Sequence, residues 1–459
     1  MTSINESFEL NRSPSTRTND NVIDRASFEM DSPDQQSNTE IEQPALPEAD
    51  GGKSAWLMLV GCSIIQLPIW GFSITFGVFQ EYYATHDDFR GNKSSIAVIG
   101  TTATGLLYLL SPFTFTLLSR YPWLRRHCGP LGLFVTTASF LLSSFATELW
   151  QLIATQGVMN AVGSAMLFTT PTLYLDEWFV RRKGLAYGVM GSAKSAVGFA
   201  LPLAVNASLN RFGLQKTLWA WCVGLVAVTS PLLFVIKPRL PLSPNSAPRS
   251  LNLNFMRMSS FWALQIGNLL QSLGYFLPST YLSSYSNAIG LSTTIGTVEI
   301  AVLNGTSVFG SSLIGLLCDS FQVTNVILIS TAGSAIAVFL FWGLSSQVSL
   351  LTIFAITFGF FAGGFSSTWS GAVGALKQEE PALDTGFVYG LFTGTRGIGN
   401  VISGPLSVAM LNSQAVTRGP NRGYNTQYGP IILFSGVTAL LGSWSWIWHN
   451  AKLLHARLA

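Results

Sequence analysis

Apolar residues in this chain come in long, nearly unbroken stretches rather than at amphipathic spacing. Twelve such runs lie near 54–80, 94–119, 129–147, 149–175, 183–209, 216–237, 258–286, 292–318, 322–343, 348–375, 383–411 and 428–450. At about 1.5 Å per helical residue, such runs are of the length that crosses roughly 30 Å of hydrocarbon. The pattern predicts an all-α membrane protein with twelve transmembrane helices. Two segments break it. Residues 1–53 contain no apolar run and are rich in Ser, Thr, Asn, Asp and Glu, so they read as a disordered cytosolic tail. The stretch KPRLPLSPNSAPRSLNLN, with four prolines and no periodicity, marks a cytosolic linker at 238–257. It parts the chain into an N-terminal six-helix half (54–237) and a C-terminal six-helix half (258–459).

Composition strengthens the membrane reading. Only 10 % of the 459 residues are charged, against about a quarter in soluble domains, and the mean hydropathy is +0.40. Eleven of the 22 acidic residues fall within the first 53 positions, leaving some four hundred residues to share the other eleven. A soluble fold of that size could not hydrate its surface so sparsely. Four cysteines (Cys62, Cys128, Cys222, Cys318) lie in or beside apolar runs without ligand spacing and read as packing residues. The first apolar run begins only near Trp56, so no cleavable signal peptide is expected. With the N-terminus in the cytosol, thirteen Lys and Arg flank the inner loops and six the outer ones. That bias predicts a multi-pass protein with both termini cytosolic, in the plasma membrane.

The two halves carry traces of a repeat. Glycines at 184, 188, 191 and 198 match glycines at 390, 394, 397 and 404, each pair 206 apart. Gly71 and Tyr82 match Gly274 and Tyr285 at an offset of 203, and Gly105 matches Gly305 at 200. Parallel six-helix repeats are a transporter device, with substrate held between the halves near the midplane. The stretch DEWFVRRKGLAYGVMGSAKSAVG, an aromatic pair, a basic run, Leu-Ala and spaced small residues, resembles the fifth-span signature of the monocarboxylate porter family within the major facilitator superfamily. DGGKSAW (Asp50, Gly51, Gly52, Trp56) is similar to that family's signature before the first span, and GFSITFGVFQEYY and GTRGIGNVISGP resemble the first and eleventh spans of fungal members. The resemblance covers the chain beyond its tail and implies the major facilitator fold, twelve helices in two six-helix repeats.

Departures from the family pattern limit what it implies. The animal lactate carriers have an Asp and an Arg one turn apart in the eighth span; aligned on NGTSVFGSSLIGLLCD, those positions here are Ser307 and Ser311, and the first-span lysine falls near Ile74. The superfamily's inner-loop Asp-Arg pair is split, leaving Asp319 beside Ser320 in one half and Arg120 beside Ser119 in the other. Lactate–proton machinery is therefore not expected.

Three charges lie deep in the apolar runs: Lys194, Glu299 and Arg396. A charge at the bilayer centre costs at least about 2.5–3.5 kcal/mol, so each is a candidate for function. Lys194 lies eleven residues past Lys183, about 16 Å along its helix, beside a seam of small residues at steps of four and three that suits close helix contact. Lys194 and Arg396, one cation per half, would suit an anionic or carbonyl-rich substrate. Tyr275, Gln271, Asn268, Asn304 and Trp369 are candidates to complete the site. Glu299 is a candidate for proton coupling. The structural alternatives are a lysine satisfied by carbonyls at a kink, an arginine that locks helices, a Glu299 salt bridge to one of the two cations, and core packing for the amides and aromatics. Asn92, in NKS on the first outer loop, is a candidate glycosylation acceptor.

No Walker loop, metal box or nucleophile–base pair appears, so the expectation is a carrier and not an enzyme, with no cofactor, no metal and no nucleic-acid partner. The leading expectation is a secondary active transporter for a small amphipathic organic anion or secondary metabolite. Its direction, efflux, is implied by the fungal resemblance. Proton-coupled uptake of a monocarboxylate or vitamin-like nutrient is the alternative transport reading. A non-transporting sensor or scaffold is the alternative from another class.

Overall fold

The computed structural model describes residues 46–85, 96–240, 248–413 and 423–458. The tail up to residue 45, Asn92 and linker positions 241–247 lie outside the described residues. The described residues are helices joined by short turns: α1 (Gly52–Thr85), α2 (Ile96–Arg120), α3 (Arg125–Ser143), α4 (Leu149–Trp178), α5 and α6 (together Lys183–Val235), α7 (259–288), α8 (Thr293–Ser320), α9 (Val323–Trp342), α10 (Val348–Glu379), α11 (Thr385–Asn412) and α12 (Gly429–His455). They fall on the predicted apolar runs. Among the described residues, eight stretches are long and apolar enough to cross a membrane, Lys183–Val235 counting as one of them.

That 53-residue stretch folds back on itself at Gly213. The glycine sits at φ 77°, ψ 176°, a conformation that L side chains avoid. Ser208 and Thr217, nine residues apart, meet hydroxyl to hydroxyl at 3.0 Å, where a straight helix would hold them about 13.5 Å apart. Two other helices are broken. The helical path is interrupted at Ile65 in α1 and at Phe276 in α7. Pro68 and Pro278 lie just beyond, each denying a donor to the carbonyl four residues earlier.

The small-residue seams decide which helices touch. A Cβ on Gly184 would strike the Gly315 carbonyl of α8, one on Gly188 the Ser311 carbonyl, and one on Gly198 would lie 2.9 Å from Asn304. In α11, a Cβ on Gly390 would lie 2.8 Å from Phe115 and one on Gly397 2.7 Å from Tyr108, both of α2, and one on Gly394 would strike Pro112. The seams thus press α5 against α8 and α11 against α2, as small residues do between membrane helices. Gly404 has no neighbour within 4 Å and does not extend its seam. Ser307 and Ser311, which stand where lactate carriers have charges, donate to the Gly359 and Gly363 carbonyls at 2.8 and 3.2 Å. They stitch α8 to α10, in a contact with no room for an ion pair.

Packing also differs between the two ends. One buried cluster joins both sets of helices, running from Ala55, Met58 and Leu59 through Trp70, Tyr108 and Tyr187 to Trp369, Leu383 and Tyr389. Two further clusters each belong to one set, around Phe72, Phe79 and Phe140 in α1–α6 and around Tyr285, Trp342 and Phe354 in α7–α12. The shared core lies at the end that carries the linker. That end is also latched by polar contacts. The Asp319 carboxylate accepts from the Gly184 and Leu185 amides at 2.6 and 2.8 Å, capping α5 from the end of α8. Asp384 caps α11 by accepting from the Phe387 amide at 2.7 Å, while Ser119 at the end of α2 donates to it at 2.9 Å. Asp319, the acid that survives from the split Asp-Arg motif, thus acts as a helix cap. Asp176 accepts from Thr385 at 2.7 Å and pairs with Lys183 at 2.6 Å.

Candidate functional site

Where the shared core ends, six helices bring polar and aromatic side chains together. Lys194 of α5 donates from Nζ to the Tyr108 hydroxyl of α2 at 2.8 Å and lies 3.7 Å from the centre of the Trp70 ring of α1. Trp70 is held in place by a 3.0 Å bond from its Nε1 to Gln66. Arg396 of α11 lies with its guanidinium carbon 3.8 Å from the Tyr275 ring centre of α7, and 5.4 and 5.5 Å from those of Phe276 and Trp369. Its Nη1 reaches Gln271 at a long 3.5 Å. The two cations share surroundings: Arg396 is within electrostatic reach of both Lys194 and the Tyr108 hydroxyl. Tyr108 and Phe276 touch edge to face at 6.3 Å, closing the aromatic ring around them.

The helix breaks explain the geometry. The α7 break falls at Phe276, so consecutive rings, Tyr275 and Phe276, both reach Arg396 from one short segment. The α1 break at Ile65 lies just before the turn that carries Trp70. The glycine seam beside Lys194 packs on α8, while the lysine itself points to Tyr108 of α2 and Trp70 of α1.

Electrostatically the site is unbalanced. Arg396 is 2 % exposed, and among the described residues neither it nor Lys194 forms an ion pair. Aromatic faces partly replace counter-ions, since a desolvated cation–π contact contributes about 2 kcal/mol. They do not satisfy the donors: the Arg396 Nε is buried without a hydrogen-bond partner. A buried guanidinium with an unpaired N–H and no carboxylate has a donor free that the oxygens of an anionic group could accept from.

Of the residues singled out from sequence, Lys194, Arg396, Tyr275, Gln271 and Trp369 come together. Asn304 does not join them; it packs on Gly198, one turn along α5 from Lys194, and donates to the Ile300 carbonyl at 3.1 Å. Asn268 is a brace, accepting from Trp369 Nε1 at 3.0 Å and donating to the Phe392 carbonyl at 2.8 Å. Glu299 stands apart. It is 2 % exposed, its Oε1 accepts from the Thr352 hydroxyl of α10, and its Oε2 has no partner. The salt bridge to Lys194 or Arg396 weighed from sequence does not form. Trp70, Tyr108 and Phe276 complete the cage but were not anticipated, because an aromatic in an apolar run looks like any core residue. The available signal was Tyr108 and Trp70 as lone polar-tipped rings, each near a glycine (Gly105, Gly71) that recurs in the other half.

Comparison with known proteins identifies the family and the fold. The Major Facilitator Superfamily model matches residues 58–404. The chain is similar to the fujikurins efflux protein of Gibberella fujikuroi, 25 % identical over 438 residues covering 90 % of each chain. It is 25 % identical to the aspyridones efflux protein of Emericella nidulans over 385 residues, 81 % of this chain and 76 % of that one. It is 24 % identical to the MFS transporter asaE of Aspergillus flavus over 403 residues, 88 % of both. The crystal structure of the human organic anion transporter MFSD10 (TETRAN) matches with a TM-score of 0.63 over 85 % of this chain and 100 % of that one, at 13 % identity.

Proposed function

The chain belongs to the Major Facilitator Superfamily, and from that premise we propose that this transporter exports an amphipathic organic anion of the secondary-metabolite class. One observation carries the substrate class. Lys194 and Arg396 converge in an aromatic cage, without a carboxylate and with the Arg396 Nε unpaired. Such a cage complements a substrate with an ionised or carbonyl-rich head and a flat apolar body. Export is supported by the fujikurins and aspyridones efflux proteins, to which the chain is similar. The finer placement, a fungal-type member of the monocarboxylate porter family, is supported by the fifth-span and pre-first-span signatures.

In this reading the segments 54–237 and 258–459 are the rocking halves, both termini are cytosolic, and the membrane is the plasma membrane. The shared core and its latches at the linker end correspond to a state closed toward the cytosol. Alternating access would break the Asp319, Asp384 and Thr385 contacts and close the far end around the cage. A second reading, coupling to protons, is favoured by Glu299. A buried carboxyl with no cation beside it is a site at which a proton can be carried.

The test is counterflow in proteoliposomes of the purified chain, comparing amphipathic organic anions with their neutral amide analogues at two pH gradients. Exchange of the anions and not the amides is expected. Equal exchange of both would remove the anion reading.

A further inference from the structure

A second cavity, away from the cage, opens on the outer face of the helix bundle at the linker end. It measures about 780 Å³ and lies between α3, α4 and the end of α6. Its lining includes four basic residues, Arg125, Arg126, His127 and Lys237, and no acid. Arg125 is committed inward: it pairs with Glu177 at 2.8 Å and donates to the Leu118 carbonyl at 2.9 Å. Glu177 in turn accepts from the Arg239 and Leu240 amides, so it is fully occupied. Arg126, His127 and Lys237 are exposed at the rim, and none forms an ion pair among the described residues. Lys237 is held at the mouth because its carbonyl accepts from Trp178 Nε1 at 2.9 Å.

Behind this basic rim the walls turn apolar. Leu133, Leu167 and Leu233 line the slot, and Phe234 beside it is 76 % exposed on the surface that meets lipid. Thr170 is among the lining residues, and its hydroxyl is buried without a hydrogen-bond partner among the described residues. Pro171, also in the lining, has no N–H to give to the Leu167 carbonyl. Trp123 at the rim is 42 % exposed, where aromatic rings anchor at the membrane–water boundary.

We propose that this slot is a binding site for one anionic phospholipid. The phosphate and charged head sit among Arg126, His127 and Lys237, an ester oxygen reaches Thr170, and an acyl chain runs along Leu133 and Leu233 into the bilayer. A free phosphate would use the rim and leave the apolar walls and Thr170 unmet, so the lipid fits the whole slot. The face is the one proposed to be cytosolic, where anionic lipids concentrate. The site touches α1 at Ile65, α3, α4 and α6, all of one half, and not the latched interface.

Native mass spectrometry of the purified full chain in detergent tests this without any transport assay. The probes are phosphatidylserine, phosphatidylcholine of the same chains, and inorganic phosphate. Phosphatidylserine should be retained as a one-to-one adduct, phosphatidylcholine should be stripped, and inorganic phosphate should not compete. R126A/K237A should weaken retention about thirtyfold, at roughly fivefold per surface base. Both side chains are exposed, so folding should survive, and K237A alone should read about fivefold if the double variant does not stay monodisperse. Equal retention of the two lipids, wild-type retention in R126A/K237A, or displacement by phosphate would each overturn the assignment.

Discussion

Lys194 is held by Tyr108: its Nζ donates to the tyrosine hydroxyl at 2.8 Å across the α5–α2 contact. Arg396 of α11 is within electrostatic reach of the same hydroxyl. Tyr108→Phe keeps the ring against Trp70, 4.9 Å between centroids, and removes only the oxygen. The expected result is normal surface expression with apparent substrate affinity weakened about tenfold, the loss of one charge-assisted hydrogen bond of about 1.5 kcal/mol. Concentration-dependent counterflow measures it, and unchanged affinity would remove Tyr108 from the site.

Arg396 has the stronger claim on substrate, because its Nε is unpaired while Lys194 already has an acceptor. Arg396→Ala should lower transport at least about 30-fold, from the ~2 kcal/mol lower bound for truncating a buried charge contact. Surface expression should hold, since the side chain rests on Tyr275 and Gln271 and takes part in no ion pair among the described residues. Failure of Arg396→Ala to reach the surface would instead show that the guanidinium locks α7 to α11.

The seams set a stability prediction. A methyl on Gly188 would meet the Ser311 carbonyl, backbone that cannot swing aside. Gly188→Ala should therefore destabilise the latched state by about 1–3 kcal/mol, the range for overpacking. Gly404→Ala, with open space around it, should be silent. Thermal unfolding followed on a fluorescent fusion separates the two; equal melting temperatures would contradict the close α5–α8 contact.

Asp50 gives a pH prediction outside the spans. Burial acts to raise its carboxyl, but the amides of Val180, Arg181 and Arg182 at 2.9 Å and the Arg181 charge outweigh it and hold the group below the usual carboxylate range. A depressed carboxyl contributes stability that is complete above its unfolded value and is lost as pH falls through its folded one. The contact should thus be indifferent from pH 8 to 5 and weaken only below about 4. Asp50→Asn should lower thermal stability equally at pH 7 and pH 5. A difference that grows between those two values would point to another titrating group.

How much of this could be read from sequence follows the physics of each feature. Helix positions were legible because lipid demands long apolar runs, and the glycine seams because close packing demands small residues at fixed steps; which helices the seams meet, α8 and α2, was not. The cations were legible because charge is costly in hydrocarbon. Trp70, Tyr108 and Phe276 were not, because a cage aromatic and a core aromatic satisfy the same hydropathy. Asn304 was misplaced for a related reason: whether an amide faces the cage or a neighbouring glycine depends on helix rotation, which a uniformly apolar span leaves undetermined. The cap by Asp319 and the bond from Ser119 to Asp384 were hidden because they join residues 135 and 265 positions apart.

Under the proton-coupled reading proposed above, Glu299 is the group to test. It meets the Thr352 hydroxyl and no cation, so the site is separate from the anion cage and any coupling must act through movement of α8 against α10. Replacement by Gln keeps an oxygen to accept from Thr352 and removes titration, so the fold should be unaffected. A coupled carrier with Glu299→Gln should still exchange substrate in counterflow yet lose accumulation driven by a pH gradient. Thr352→Val should leave the carboxyl able to carry a proton and so retain gradient-driven accumulation, at a reduced level because the carboxyl loses its one hydrogen bond. If Glu299→Gln accumulates substrate like the wild type, the proton travels with the substrate or not at all, and Glu299 is a packing residue bound to α10.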